Sequence, residues 1–274
     1  MLNVLKVLFK RAPHLTKPIF IVGCARSGTT ALSAPVYFHP AVGPKPIPIE
    51  QISLQQFTDN LLDYDKHLAF SEKLEQKKLW FEYFEQQRPF TDMGQELIVE
   101  RLGAAQKKKK TQLLVALTKG LREERFLCKA PTNSFRVLAI QELFPDAKFI
   151  AIHRNGCDVV NSWGSRPYGF EKMGFQEGIH VFSQKWNETV EYLFAVSKKV
   201  DILHLLYEDF VSSPADTLAA VYQFCELDAQ AVSYPSLRLQ ERNFQWREKI
   251  PPKYHTELLE KTRRNRMRLG YKVQ

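Results

Sequence analysis

The residues best placed to do chemistry form the stretch Gly23-Cys-Ala-Arg-Ser-Gly-Thr-Thr30. It follows the short apolar run Ile19–Val22 and leads into a helical stretch. A glycine-bearing turn at that junction gathers backbone N–H groups and the positive end of a helix dipole at one point, which suits phosphate or a related oxyanion. The spacing imitates the nucleoside-triphosphate loop G-x-x-x-x-G-K-[ST], but Thr29 occupies the lysine position. The side chain that reaches the β- and γ-phosphates in ATP-using enzymes is therefore missing. A cation stands three residues earlier instead, at Arg26, inside the turn.

Ala25-Arg-Ser-Gly-Thr-Thr30 resembles the first cofactor loop, approximately P-[KR]-S-G-T-T, of sulfotransferases that use 3′-phosphoadenosine-5′-phosphosulfate (PAPS). The second cofactor element of that family follows a strand and sets an arginine eight residues before a serine. Here Phe149–Ile152 is followed by His153-Arg154 and then Ser162, with Phe144-Pro-Asp-Ala-Lys148 as a similar lead-in. Two further stretches resemble the family: Tyr207-Glu-Asp-Phe-Val-Ser-Ser-Pro214 with Phe224-Cys-Glu-Leu227, and the ending Trp246-Arg247 with Leu269-Gly-Tyr271. The likeness covers residues 18–50 and 125–271.

The resemblance implies a phosphate-loop-like α/β fold and sulfuryl transfer from PAPS, with adenosine 3′,5′-bisphosphate as product and no metal. Arg26, Ser27, Gly28, Thr29 and Thr30 would form the donor loop. Arg154 and Ser162 would hold the 3′-phosphate, for which a bidentate guanidinium and a hydroxyl donor are well suited. Tyr207 and Arg247 complete the expected donor site. Arg26 is the expected cation beside the transferred group, and Lys129 in Cys128-Lys-Ala-Pro131 is a second. The carbohydrate and tyrosyl-protein branches carry a glutamate after the first helix, and Glu50 closes Pro44-Lys-Pro-Ile-Pro-Ile-Glu50 at that place. To take a proton near neutral pH it needs a raised pKa or a close acceptor hydroxyl. His39 and His67 are reserve bases, and the histidine context of the small-molecule cytosolic branch is absent.

Four short apolar runs must position these groups: Ile19–Val22, Arg125–Cys128, Lys148–Ile152 and Leu203–Tyr207. Separated by helix-sized segments such as Thr132–Leu143 and Ala215–Cys225, they predict a three-layer fold, a parallel sheet with helices on both faces. Residues 18–274 read as one domain after an N-terminal extension, 1–17. Residues 51–124 read as a helical insertion shaping an acceptor pocket, with aromatics at Trp80, Phe81, Tyr83 and Phe84. Lys107–Lys110 reads as a solvated charge run. Residues 164–180 read as a mobile loop, and Pro35 is expected to kink the first helix.

The chain has 274 residues, 44% apolar and 25% charged, which excludes disorder and fibre. No apolar run approaches the roughly 20 residues that cross a bilayer. A net charge of +9, from 39 Lys and Arg against 30 Asp and Glu, favours anionic partners. Four widely spaced cysteines give no metal-ligand pattern and fit a reducing, cytoplasmic setting. The basic, apolar start MLNVLKVLFKRAPHLTK shows no signal-peptide cleavage site and reads as an N-terminal extension on a soluble protein, with weak contact with an anionic membrane as the alternative. The acceptor is a hydroxyl or amine on a carbohydrate, lipid, metabolite or peptide, and no nucleic acid is expected. The competing readings are an ATP-dependent kinase or phosphotransferase and a non-catalytic anion- or polysaccharide-binding protein.

Overall fold

The apolar runs assemble into a parallel sheet with strand order β2-β3-β1-β4-β5. The strands are β1 (Ile19–Val22), β2 (Val42–Gly43), β3 (Arg125–Lys129), β4 (Lys148–His153) and β5 (Ile202–Leu206), and every neighbouring pair is parallel. The computed structural model describes residues 15–43, 53–56, 58, 101–118, 124–232, 237–241 and 243–272. Glu50, His67 and the aromatics at 80–84 lie outside the described residues, as does most of 51–124.

Among the described residues the helices are α1 (Thr29–Phe38), α2 (Ala104–Thr118), α3 (Val137–Leu143), α4 (Gly156–Gly164), α5 (Phe170–Met173), α6 (Phe175–Val196), α7 (Tyr207–Ser212), α8 (Pro214–Cys225), α9 (Trp246–Lys249) and α10 (His255–Arg268). A 3₁₀ turn, Pro131–Arg136, precedes α3, so the single helix expected over Thr132–Leu143 is split. None of these helices is long and apolar enough to cross a membrane.

Both faces of the sheet are covered, which is why its strands read as unbroken apolar runs. Side chains alternate across a strand. Ile19, Ile21, Ile150 and Ile152 join one core with residues of α1 and α8, while Phe20, Val22, Phe149 and Ala151 join a second core with residues of α3 and α6. Phe20 stacks between Phe144 and Phe149, at 6.0 and 5.5 Å. Helix α1 runs through Pro35, whose carbonyl accepts from Tyr222 Oη at 2.9 Å. Leu15 is buried and the Lys17 N–H donates to Asp146 Oδ2 at 2.7 Å, so the chain is already fastened to the sheet before β1. Lys107, Lys108 and Lys109 are exposed on α2, and Lys107 pairs with Glu142 at 2.9 Å.

Two further expectations change. The strand read as Leu203–Tyr207 ends at Leu206, and Tyr207 opens α7 as a buried residue. The mobile loop expected at 164–180 is largely helical: it contains α5 and the first turns of the 22-residue α6. Gly164, Gly169 and Gly178 serve close packing, while Gly174 (φ 78°) makes the left-handed turn between α5 and α6. A Cβ on Gly164 would stand 1.9 Å from the Phe170 ring, and Phe170 stacks on Phe175 at 4.6 Å. The weak periodicity reflects aromatics packing in several directions around a small-residue contact.

At the C-terminal edge of the sheet, β1 leads through α1 to β2 on one side, whereas β4 and β5 lie on the other. Crevices at such a reversal of strand order bind ligands in open α/β sheets. Beneath that edge His153 and His204, on adjacent strands, stack in parallel with Nε2 and Nδ1 2.8 Å apart, and Phe194 covers both rings. Burial, reinforced by the neighbouring His204, pushes His153 down to about 3. The fold therefore holds it neutral, and its contribution to stability is present above its ordinary value of 6.5 and lost as pH falls toward about 3. Chemical unfolding across that window checks this: the wild type loses up to about 1.4 kcal/mol per pH unit more than a His153→Gln variant. Parallel profiles would show that His153 protonates without cost.

Candidate active site

The loop after β1 is built by backbone geometry that few residues tolerate. Gly23 (φ 137°) leaves the strand, Arg26 (φ 75°) adopts the left-handed region, and Gly28 (φ 94°) precedes α1. The Ser27 N–H donates to the Cys24 carbonyl at 3.1 Å, closing the turn. From the neighbouring segment, Ser134 Oγ accepts the Gly23 N–H at 2.9 Å. No side chain caps α1 and its first turn holds no acidic residue, so its positive end opens onto the loop. The buried Ser27 hydroxyl has no hydrogen-bond partner among the described residues. This cradle fits a phosphate or sulfate group.

Three cations reach the cradle from three strand ends. Lys129, at the end of β3, donates through Nζ to Thr30 Oγ1 at 3.0 Å. Arg26 Nε donates to Ser162 Oγ on α4 at 3.1 Å. Arg154, directly after β4, is buried, and its Nη1 donates to the Arg26 carbonyl at 3.4 Å. Its guanidinium lies 4.7 Å from the centre of the Tyr207 ring, a cation–π contact. The same ring closes on the loop: a Cβ at Gly28 would stand 2.4 Å from Tyr207 Cδ2, so only glycine fits there. Tyr207 Oη donates to the Gln240 carbonyl at 3.2 Å.

Arg26, Ser27, Gly28, Thr29, Thr30, Lys129, Arg154, Ser162 and Tyr207 thus form one connected constellation. Arg247 is exposed and its guanidinium lies 4.8 Å from the Trp246 ring. The segment bearing it is tied to α4, where Asp158 Oδ2 accepts the Phe244 N–H at 3.0 Å. Burial raises the Asp158 carboxyl above its ordinary range, against that hydrogen bond. His39 belongs elsewhere: its Nδ1 accepts the Ala41 N–H at 3.1 Å, leaving Nε2 to donate to the Asp228 carbonyl at 3.0 Å. One ring nitrogen serves the turn into β2 and the other the carbonyl beyond α8, which corrects the expectation of His39 as a reserve base. Glu50, the expected base, and His67 fall outside the described residues.

Several supports have no motif of their own. Trp186, fully buried on α6, donates from Nε1 to the Arg154 carbonyl at 3.1 Å. Trp163 Nε1 donates to the Ala25 carbonyl at 3.1 Å. Glu208 Oε1 accepts the Asn155 N–H at 3.1 Å. Tyr271 Oη donates to Glu208 Oε2 at 2.6 Å; both residues stand in stretches that resemble the family, but their pairing comes only from the fold.

Several solved structures share this architecture. The sulfotransferase domain of the Synechococcus PCC 7002 olefin synthase superposes with a TM-score of 0.52 at 18% identity, over 96% of this chain and 99% of that one. Sulfotransferase STF9 from Mycobacterium avium gives 0.57 at 17% identity, over 95% of this chain and 78% of that one. A sulfotransferase from Alicyclobacillus acidocaldarius gives 0.50 at 15% identity, over 94% and 98%. At such identities the likeness is one of fold. No curated protein sequence matches the chain significantly. The model of the sulfotransferase family matches residues 18–231, a span that holds the loop, Lys129, Arg154, Ser162 and Tyr207. With that match over most of its length, and the phosphate-loop-like sheet beneath it, the chain belongs to the sulfotransferase family.

Proposed function

We propose that the protein transfers a sulfuryl group from PAPS to a hydroxyl or amine acceptor. The observation that carries this reading is the convergence of Arg26, Lys129 and Arg154 on a capless helix N-terminus in a chain of this family. Thr29 in place of a lysine works against ATP as donor.

Each residue then has a task. The loop amides, with Ser27 and Thr30, hold the 5′-phosphosulfate end, and Arg154 with Ser162 holds the 3′-phosphate. In the reaction the bond between sulfur and the bridging phosphate oxygen breaks, and a bond from sulfur to the acceptor oxygen or nitrogen forms. Arg26 and Lys129 neutralise the charge that grows on the bridging oxygen, the kind of fixed electrostatic support that dominates related transfers. Glu50 takes the acceptor proton. Residues 51–124 are the segment assigned to the acceptor. Arg247 contributes to the donor site from the segment that Asp158 ties to α4.

Incubation with PAPS labelled in the sulfuryl group and a panel of hydroxyl and amine acceptors tests the reading. Labelled product and stoichiometric bisphosphate are expected. Failure to bind the bisphosphate or consume the donor with every acceptor would overturn it. The 3′-phosphate assignment has its own check by calorimetry. Arg154→Ala should cost about 1.5–3 kcal/mol with adenosine 3′,5′-bisphosphate and little with the 5′-monophosphate. Equal losses for both ligands, in a folded variant, would remove Arg154 from that role.

A further inference from the structure

The backbone that carries Arg154 is held from three directions. Trp186 grips its carbonyl. Asn155 caps α4, its side chain accepting the Cys157 N–H at 3.0 Å. Glu208 Oε1 accepts the Asn155 N–H. The second carboxylate oxygen, Oε2, accepts from Tyr271 Oη at 2.6 Å, a short charge-assisted hydrogen bond.

Tyr271 lies beyond α10 on a segment that is itself anchored. Its N–H donates to the Arg266 carbonyl at 3.0 Å, and Arg266 Nη2 donates to the Lys272 carbonyl at 3.1 Å. Helix α10 is fixed in turn to α6 by Asn265 Nδ2, which donates to Asn187 Oδ1 at 2.8 Å. The phenol therefore approaches Glu208 from a rigid base. Burial, with the Glu208 charge beside it, raises the Tyr271 pKa, so the hydroxyl keeps the proton it donates to the carboxylate.

Glu208 follows Tyr207, whose ring supports the Arg154 guanidinium. A carboxylate here has two uses open to it: to stay on the Asn155 N–H, or to turn and ion-pair with the arginine one residue earlier. The second would set it against any phosphate that Arg154 is to bind. We propose that Tyr271 is a positioning residue of the donor site: by donating to Glu208 Oε2 it holds that carboxylate on Asn155, so that it does not compete with the nucleotide's 3′-phosphate for Arg154. This rests on the reading of Arg154 as the 3′-phosphate residue.

Calorimetry with adenosine 3′,5′-bisphosphate and the 5′-monophosphate on the full chain tests it. Tyr271→Phe should weaken the bisphosphate about five- to tenfold, the loss of one hydrogen bond's worth of preference, and leave the monophosphate unchanged. The KM for the donor should rise by a similar factor while kcat holds. Adding Glu208→Gln to Tyr271→Phe removes the competing charge and keeps an acceptor for Asn155, so the double variant should recover bisphosphate affinity. A packing role for Tyr271 gives no such recovery. Equal weakening of both ligands, no weakening, or a double variant as weak as the single one each overturns the proposal. Arg154→Ala separates the two failures. If it discriminates between the ligands and Tyr271→Phe does not, only the tyrosine's role falls. If Arg154→Ala does not discriminate, the 3′-phosphate reading falls and takes this one with it.

Discussion

An Arg26→Ala variant is expected to turn over about 10²–10³-fold more slowly than the wild type, equivalent to about 2.7–4 kcal/mol of lost transition-state stabilisation. Its Nε donates to Ser162 Oγ, which holds the guanidinium beside the anion-binding loop. Its proposed work is done on charge that develops only as the bridging bond breaks, so the loss should fall on kcat more than on ground-state binding. Bisphosphate affinity should drop by a smaller factor, since the loop amides and Arg154 remain. The substitution leaves the backbone alone: Ala at φ 75° is no less strained than Arg, and the carbonyl that receives Arg154 Nη1 is kept. Steady-state kinetics beside product calorimetry separates the two effects. A variant with normal kcat and a raised KM for the acceptor would take Arg26 out of the transfer step.

Glu50→Gln should lower turnover by roughly 10²–10⁴-fold, the range for losing a positioned general base. Glutamine keeps the shape and removes the basic oxygen. Product-nucleotide affinity should stay near the wild-type value, because the proposed donor contacts are made by other residues. The pH dependence gives a second check. If Glu50 takes the proton, wild-type turnover falls on the acid side as the carboxylate is protonated, and that limb disappears in the variant. Near-normal turnover by Glu50→Gln on the true acceptor would move the base elsewhere. With the two ring nitrogens of His39 committed to the Ala41 N–H and the Asp228 carbonyl, His67 is then the next residue to test.

Much of this site was legible because its chemistry sits in contiguous stretches. The loop from Gly23 to Thr30 carries its own geometry: two glycines, a helix start and a cation within eight residues. The sheet was legible for a related reason. Strands buried on both faces must be apolar throughout, and such short runs between helix-sized segments have few other solutions. The stretch at 164–180 misled because glycine beside aromatics has two meanings. Without a partner it signals a flexible chain; with Phe170 seated on Gly164 it signals close packing.

The sequence by itself determined four of the five strands, the anion-binding turn and the spacing of Arg154 and Ser162 along one segment, since each depends on residues within a few positions of one another. Only the tertiary structure decided which of them meet. Arg26 finds Ser162 across 136 residues, Lys129 finds Thr30 across 99, and Tyr271 finds Glu208 across 63. The same holds for His39, which sequence offers as a base and the fold commits to the Asp228 carbonyl. Spacing along the chain fixes which side chains share a turn. Which of them share a hydrogen bond depends on the strand order, because β1 lies between β3 and β4 and so brings their ends, with Lys129 and Arg154, to either side of one loop.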